Sequence, residues 1–113
     1  MYTYRVKEIV KIYDGDTIQV ILDLGFGIYK HETIRLLGID TPELRGDEYE
    51  SGIISRDYLR ERLYLAYEMN KEIFIKTTKD KQGKYGRYLG VVFVEETDIN
   101  EELLSLGLAE VYK

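Results

Sequence analysis

The sequence predicts an α+β fold that is mainly β, with five strands closing into a small barrel and helices packed on it. Three observations carry that prediction. β-branched runs separated by turn residues occupy the N-terminal third, a long run at helical spacing follows, and two further strand-length runs precede a short capped helix. Strands too short to bury both faces alone, joined by tight turns and covered by a helix, are expected to close into a barrel.

Val6 to Tyr13 alternates as a strand, with Val6, Glu8, Val10 and Ile12 set against Lys7, Ile9 and Lys11. Asp14-Gly15 is a tight-turn dipeptide, and Thr17 to Leu22 is a second β-branched run, so the two pair as a hairpin with Asp16 at its mouth. Asp23 to Gly27 reads as another turn and Tyr29 to Gly38 as a third strand, which gives an antiparallel meander. Leu44 to Gly52 is polar and glycine-containing, hence an exposed loop. Ile53 to Met69 is the main helix, with Leu59, Leu63 and Ala66 on one face and Arg56, Arg60, Arg62 and Glu68 behind them. Tyr58, Tyr64 and Tyr67 on this helix are read as packing residues. Glu72 to Thr77 and Tyr88 to Val94 are strands flanking a basic loop, Lys79 to Gly86. Asp98, three residues before Glu101, is an N-cap for a helix through Leu106 with Gly107 as its C′ stop, and Leu108 to Tyr112 is an extended or docked tail. Three strands, a helix, two strands and a terminal helix match a five-stranded barrel of the oligonucleotide-binding (OB) type.

At 113 residues the expectation is one domain over 1–113. The absence of cysteine excludes disulfides and thiolate–metal sites. No signal-peptide or membrane-length apolar run occurs, so a cytoplasmic location is expected ahead of a processed secreted form. The formal net charge of −5 argues at first against a polyanionic partner. The charge is uneven, however. Lys71, Lys76, Lys79, Lys81, Lys84 and Arg87 face only Glu72 and Asp80 between 71 and 87, whereas 95 to 113 is strongly acidic. Screening beyond about 8 Å lets such a local basic face act independently of the sum.

One stretch gathers the chemistry: Arg35-Leu36-Leu37-Gly38-Ile39-Asp40-Thr41-Pro42-Glu43. A strand delivers an arginine, and the turn at its end, stiffened by proline, carries two acids. A guanidinium suits a phosphate and paired carboxylate oxygens suit a hard cation. Each part also has an ordinary reading. Asp14-Gly15 is in most proteins only a turn, Asp40 to Glu43 a solvated strand end, and Arg35 a sheet arginine paired with an acid. His31, the only histidine, sits between Lys30 and Glu32 and reads as a surface residue, which argues against histidine-based chemistry.

Three separated motifs, in order, are Asp14-Gly15-Asp16-Thr17, the Arg35 to Glu43 stretch, and Lys84-Tyr85-Gly86-Arg87. With Ile99-Asn100-Glu101 and Gly107 to Tyr112 they resemble the thermonuclease (staphylococcal-nuclease-like) family from about Val6 to Tyr112. The resemblance implies a calcium-dependent phosphodiesterase acting on DNA and RNA and leaving 3′-phosphates. It implies Asp16, Asp40 and the Thr41 carbonyl as calcium ligands, Glu43 as general base, and Arg35 and Arg87 on the phosphate. It further implies Lys84 and Tyr85 on a neighbouring phosphate and Tyr112 beside the nucleotide. The expected agent is a monomer acting on DNA and RNA, single strands preferred, with no membrane partner. Two departures stand out: the chain is acidic, and Leu44-Arg45-Gly46-Asp47 replaces a segment where lysines are common.

Hydrolysing a phosphodiester needs on the order of 15 kcal/mol of barrier lowering, more than any single side chain supplies. A Lewis-acidic ion, two arginines and a base share that load. A competing reading keeps the fold as a non-catalytic nucleic-acid-binding module. Such modules commonly lose the acids or arginines that this chain retains. A third reading makes the acidic C-terminal part a protein-interaction surface.

Overall fold

The computed structural model describes residues 2–82 and 87–112, with side chains described outside 79–82. The antiparallel meander is present as β1 (Tyr2–Asp14), β2 (Thr17–Asp23) and β3 (Tyr29–Leu36). A two-residue strand β4 (Ile39–Asp40), a 3-10 turn (Gly46–Glu48) and helix α1 (Tyr49–Glu68) follow. Then come β5 (Ile73–Gln82), β6 (Tyr88–Val94), the short β7 (Thr97–Asp98), helix α2 (Ile99–Ser105) and β8 (Glu110–Val111). β1 pairs with both β2 and β5, and β5 pairs with β6. β6 then runs parallel to β3 from Ile34↔Tyr88 to Leu36↔Gly90, which closes a five-stranded barrel of the OB type.

The barrel interior is filled by Ile18, Val20, Ile34, Leu36, Ile75 and Val92, all at most 1% exposed. Leu59, Leu63 and Ala66 of α1 and Ile99 and Leu103 of α2 cover it, as helical spacing predicts for α1. Asp98 caps α2, its carboxylate accepting the Glu101 N–H at 2.9 Å, and Gly107 ends the helix at φ +73°. Among the described residues no helix is long and apolar enough to cross a membrane.

Several boundaries differ from the sequence reading, each for a physical reason. Simple alternation in β1 would bury Val6, Val10 and Ile12 on one face. Instead Val6, Ile9 and Ile12 are buried and Val10 is exposed. Register shifts at Val6/Glu8, Ile9/Lys11 and Ile12/Asp14 each add a residue and re-phase the strand. β3 ends at Leu36 rather than Gly38, and the break precedes Pro42. Gly38 turns the chain at φ +79°, a conformation that suits only glycine well. Helix α1 begins at Tyr49, so most of the expected Leu44 to Gly52 loop is 3-10 and helical. Gly52 is there for space: a Cβ would lie 2.5 Å from the Glu43 carbonyl oxygen. β5 runs on to Gln82 through the first half of the expected basic loop, and 83–86 lie outside the described residues. Tyr58 packs against the core, but Tyr64 and Tyr67 are exposed and are not packing residues. His31 is exposed, as expected.

Asn100, 4% exposed, is a polar residue built into this core. Its Oδ1 accepts the Val92 N–H at 3.1 Å, and its Nδ2 donates to Leu37 O at 2.9 Å and Gly90 O at 3.3 Å. It thereby ties α2 to β6 and to the turn after β3. Asn100→Ala would strand a buried donor and a buried acceptor, and should lower unfolding free energy by at least about 2 kcal/mol in urea titrations. A loss below about 0.5 kcal/mol would show that this network is not structural.

Candidate functional site

Three chain segments meet at one end of the barrel, and glycine at position 15 is part of the reason. A Cβ there would sit 2.8 Å from Thr41 Cγ2 and 2.9 Å from Ser55 Cβ, so only glycine lets the β1–β2 turn lie against the Thr41 segment and α1. The contact is secured by Asp16, 6% exposed, whose Oδ2 accepts the Thr41 backbone N–H at 2.9 Å. The Leu36 N–H donates to Asp16 O at 2.8 Å, which fixes the turn against β3 as well. At the other side, β8 pairs with β4 (Asp40↔Glu110), the Tyr112 N–H donates to Gly38 O at 3.0 Å, and Ser55 Oγ donates to Leu108 O at 2.7 Å. The tail is thus docked beside the turn that carries Asp40 and Thr41.

Arg35 occupies the centre. Its Nη1 donates to Leu36 O and Ile39 O, both at 2.9 Å, so the guanidinium is fastened to the turn that follows it. Its Nη2 stands 3.5 Å from Asp16 Oδ2 and 3.4 Å from Asp40 Oδ1, and its Cζ lies 5.5 Å from the centre of the Tyr112 ring. The two carboxylates, 24 residues apart in sequence, therefore share one nitrogen. The plain reading of Arg35 as an arginine paired with an acid holds too, since those acids belong to the same site.

These residues line a cavity of about 430 Å³. Asp16, Arg35, Asp40, Thr41, Glu43 and Arg87 all face it, and so does Tyr112. Of the residues singled out from sequence, Lys84 and Tyr85 lie outside the described residues. Glu43 is largely exposed and pairs with Arg45 at 3.5 Å. Two cavity residues escaped the sequence reading. Arg45 stands where the resemblance breaks down, and no local pattern marks it. Asp14 reads from sequence as a turn residue, although it lies in the Asp14-Gly15-Asp16-Thr17 motif two positions from Asp16. Its Oδ1 accepts the Asp16 N–H at 3.1 Å.

The carboxyl groups perturb one another. Burial, reinforced by the adjacent Asp16, pushes Asp14 up to about 6. Burial also pushes on Asp16, but the Asp14 carboxyl, the Thr41 N–H and Arg35 together outweigh it and hold Asp16 below the usual carboxylate range. Asp40 is raised by burial and by the charge of Asp16, with Arg35 opposing. Oxygen-only donors and mutual repulsion between acids form a donor set that fits a hard divalent cation. Among the described residues no three acidic or imidazole side chains converge closely enough to hold an ion alone. Backbone, water and substrate oxygens would have to complete the shell.

The model of the family described as staphylococcal nuclease homologue matches residues 33–113. An uncharacterised protein of Methanocaldococcus jannaschii is 37% identical over 93% of the chain and 58% of its own length. The endonuclease YncB of Bacillus subtilis is 34% identical over 87% and 44%, respectively. The thermonuclease of Staphylococcus intermedius is 28% identical over 95% and 58%. The chain spans about half the length of these relatives.

The raised Asp14 carboxyl has a consequence for stability in the metal-free chain. The folded state keeps a proton that the unfolded state releases near 3.8, so stability conferred by the protonated group is complete below that value and is lost as pH rises toward about 6. Asp14→Asn removes that titration. In chelator, the stability of wild type relative to Asp14→Asn should fall between pH 4 and 6 in denaturant titrations. A constant difference across that range would mean that Asp14 is not perturbed.

Proposed function

This chain belongs to the staphylococcal nuclease family, and on that footing we propose that it is a calcium-dependent, sugar-nonspecific nuclease. It hydrolyses phosphodiester bonds of DNA and RNA, single strands preferred, and leaves 3′-phosphates. The observation that carries the reading is the convergence of Arg35, Arg87, Asp16, Asp40 and Glu43 on one cavity. The names of the nucleases among its relatives point the same way.

Asp16, Asp40 and the Thr41 carbonyl are the residues that would hold calcium. When bound, the ion supplies Lewis-acid polarisation of a phosphoryl oxygen. The protein's own groups do the rest. Glu43 removes a proton from the attacking water, whose oxygen forms the new bond to phosphorus. The bond to the 5′ oxygen breaks in line, that oxygen takes a proton from solvent water, and the phosphate stays on the 3′ side. Arg35 and Arg87 donate to the phosphoryl oxygens as negative charge builds there. Because Arg35 Nη1 is already held by two backbone carbonyls, its fork needs little reorganisation, and preorganised donors are the effective ones. Tyr112 stacks over the guanidinium and borders the nucleotide. Lys84 and Tyr85, on the basic segment before Arg87, hold a neighbouring phosphate. The non-catalytic module is disfavoured because every group the chemistry needs is retained.

Incubation of single-stranded DNA with the protein and calcium should give 3′-phosphate fragments, and chelator should abolish them. Arg35→Ala and Arg87→Ala should each slow cleavage by about 10²–10³-fold. Glu43→Gln should slow it by about 10²–10⁴-fold with the fold unchanged by circular dichroism. Cleavage indifferent to chelator or to Arg87→Ala would overturn the proposal, and binding without cleavage by the wild type would favour the module.

A further inference from the structure

We infer that the outer face of the β1–β2–β3 meander is a track along which the bound strand leaves the scissile site, its phosphates meeting Lys11 and then Lys7. The inference rests on the nucleic-acid reading above and extends it from the reacting phosphate to the rest of the strand. Side chains on one face of a strand recur every second residue. On β3 that groups Arg35, Thr33, His31 and Tyr29, opposite the buried Ile34 and Leu36. The pairings Gln19↔Thr33 and Ile21↔His31 carry this face onto β2, and Lys11↔Gln19 and Glu8↔Ile21 carry it onto β1. Asp14 and Arg35, which line the acidic cavity, belong to the row that Thr17 joins, and the row of Lys11 is the next one along.

Two observations make this face a place for a polyanion. The first is a pair of ammonium groups held by rings instead of by acids. Lys11 Nζ lies 4.6 Å from the centre of the Tyr13 ring and Lys7 Nζ 5.5 Å from that of Tyr29. Among the described residues neither ammonium pairs with a carboxylate. In a chain with 21 acidic against 16 basic side chains, that makes a local positive strip which the net charge conceals. The second is the set of bulges in β1. With Val6, Ile9 and Ile12 buried, both residues between each of them are exposed, so β1 offers two outward side chains for every inward one. Lys7 is one that the register passes over, and it reaches across β2 to Tyr29 of β3.

Continuity with the cavity selects the occupant. Successive rows on the face are about 7 Å apart, and Tyr29, over which Lys7 sits, is about 20 Å along β3 from Arg35. A free anion would occupy one lysine at a time, whereas a polyanion spans both while its reacting phosphate stays at Arg35. The other charges at this face are accounted for. The Asp23 carboxylate accepts the Gly25 N–H at 2.9 Å, and Arg5 pairs with Glu72 at 2.9 Å. Glu8 is exposed on β1 between the two lysines and opposes the strand. Removing its charge should therefore act with the opposite sign to removing theirs, which a merely structural role for these residues would not produce.

The probe is a labelled oligothymidine of about ten nucleotides, within the span one such barrel covers. Its binding is followed by fluorescence anisotropy, with calcium present and on a Glu43→Gln background that keeps the strand intact. Lys7→Gln and Lys11→Gln should each weaken binding about three- to fivefold and reduce the salt slope by about 0.7. Lys11→Arg should restore both, and Glu8→Gln should tighten binding about twofold. Lys71→Gln, which removes a charge between α1 and β5, should leave the slope unchanged. With a dinucleotide, too short to reach Lys7, the effect of Lys7→Gln should vanish. Slopes unmoved by Lys7→Gln and Lys11→Gln, or an equal loss from Lys71→Gln, would overturn the inference. Calcium-dependent cleavage by the wild type is scored separately. If that fails while the two lysines still set the slope, the track stands and the nuclease reading falls.

Discussion

The guanidinium of Arg35 is the point on which the site depends. Two of its hydrogen bonds run to carbonyls of the turn that follows it, and its remaining edge lies between Asp16 and Asp40. An arginine between two carboxylates offsets their repulsion, and the three groups become mutually positioned. Because the side chain is only 14% exposed, this ion cluster is less screened than a surface pair would be. Remove the arginine and two acids on one cavity lose the cation that pairs with both. Site geometry and local stability are therefore coupled through one residue.

The barrel makes that meeting possible. Asp16 comes from the first hairpin, Arg35 from the third strand, Asp40 from the short strand after it, Thr41 from the residue that follows, and Arg87 from the residue just before β6. Closure through the parallel β3–β6 pairing brings Arg35, in register with Leu89, beside the start of β6, which Arg87 immediately precedes. The two helices are tied to each other. Tyr58 and Arg62 of α1 both bind Glu102 of α2, and Arg62 Nε lies 2.9 Å from its Oε2. The tail that follows α2 is in turn pinned by Ser55 and by β4. Tyr112 thereby reaches Arg35 although 77 residues separate them in the chain.

What the sequence made legible follows from range. Local signals held. The Asp98 cap, the Gly107 stop, the helical face of Leu59, Leu63 and Ala66 and the span of β6 all depend on neighbours within a few residues. The readings that failed depend on partners far away. Val10 is exposed because β2 and β1 pair with bulges, a property of two strands together. The glycine in the first turns of α1 looked like a loop signal, yet it answers to the Glu43 carbonyl, a contact that no window on the helix contains. The candidate site was legible as ordered motifs, and the structure brings its described members to one cavity. Asp14 was hidden because its turn role accounts for it fully until burial and Asp16 are taken into account.

On the proposed reading an acidic chain acts on a polyanion, which poses an electrostatic problem that the charges lining the cavity bear on. Among the described residues, four carboxyl groups (Asp14, Asp16, Asp40 and Glu43) and three guanidiniums (Arg35, Arg45 and Arg87) line it. Near neutrality, above the raised Asp14 value of about 6, the acids are in excess by one charge. A phosphodiester alone would deepen that excess, whereas a divalent cation alone would overshoot it. Together they bring the cavity to neutrality. On this reading cation and substrate each favour the other's binding, and by linkage the enhancement is equal in both directions. A nuclease of the proposed kind would then need no strongly basic surface to retain its substrate, because the affinity lacking at long range would be supplied at the reacting phosphate.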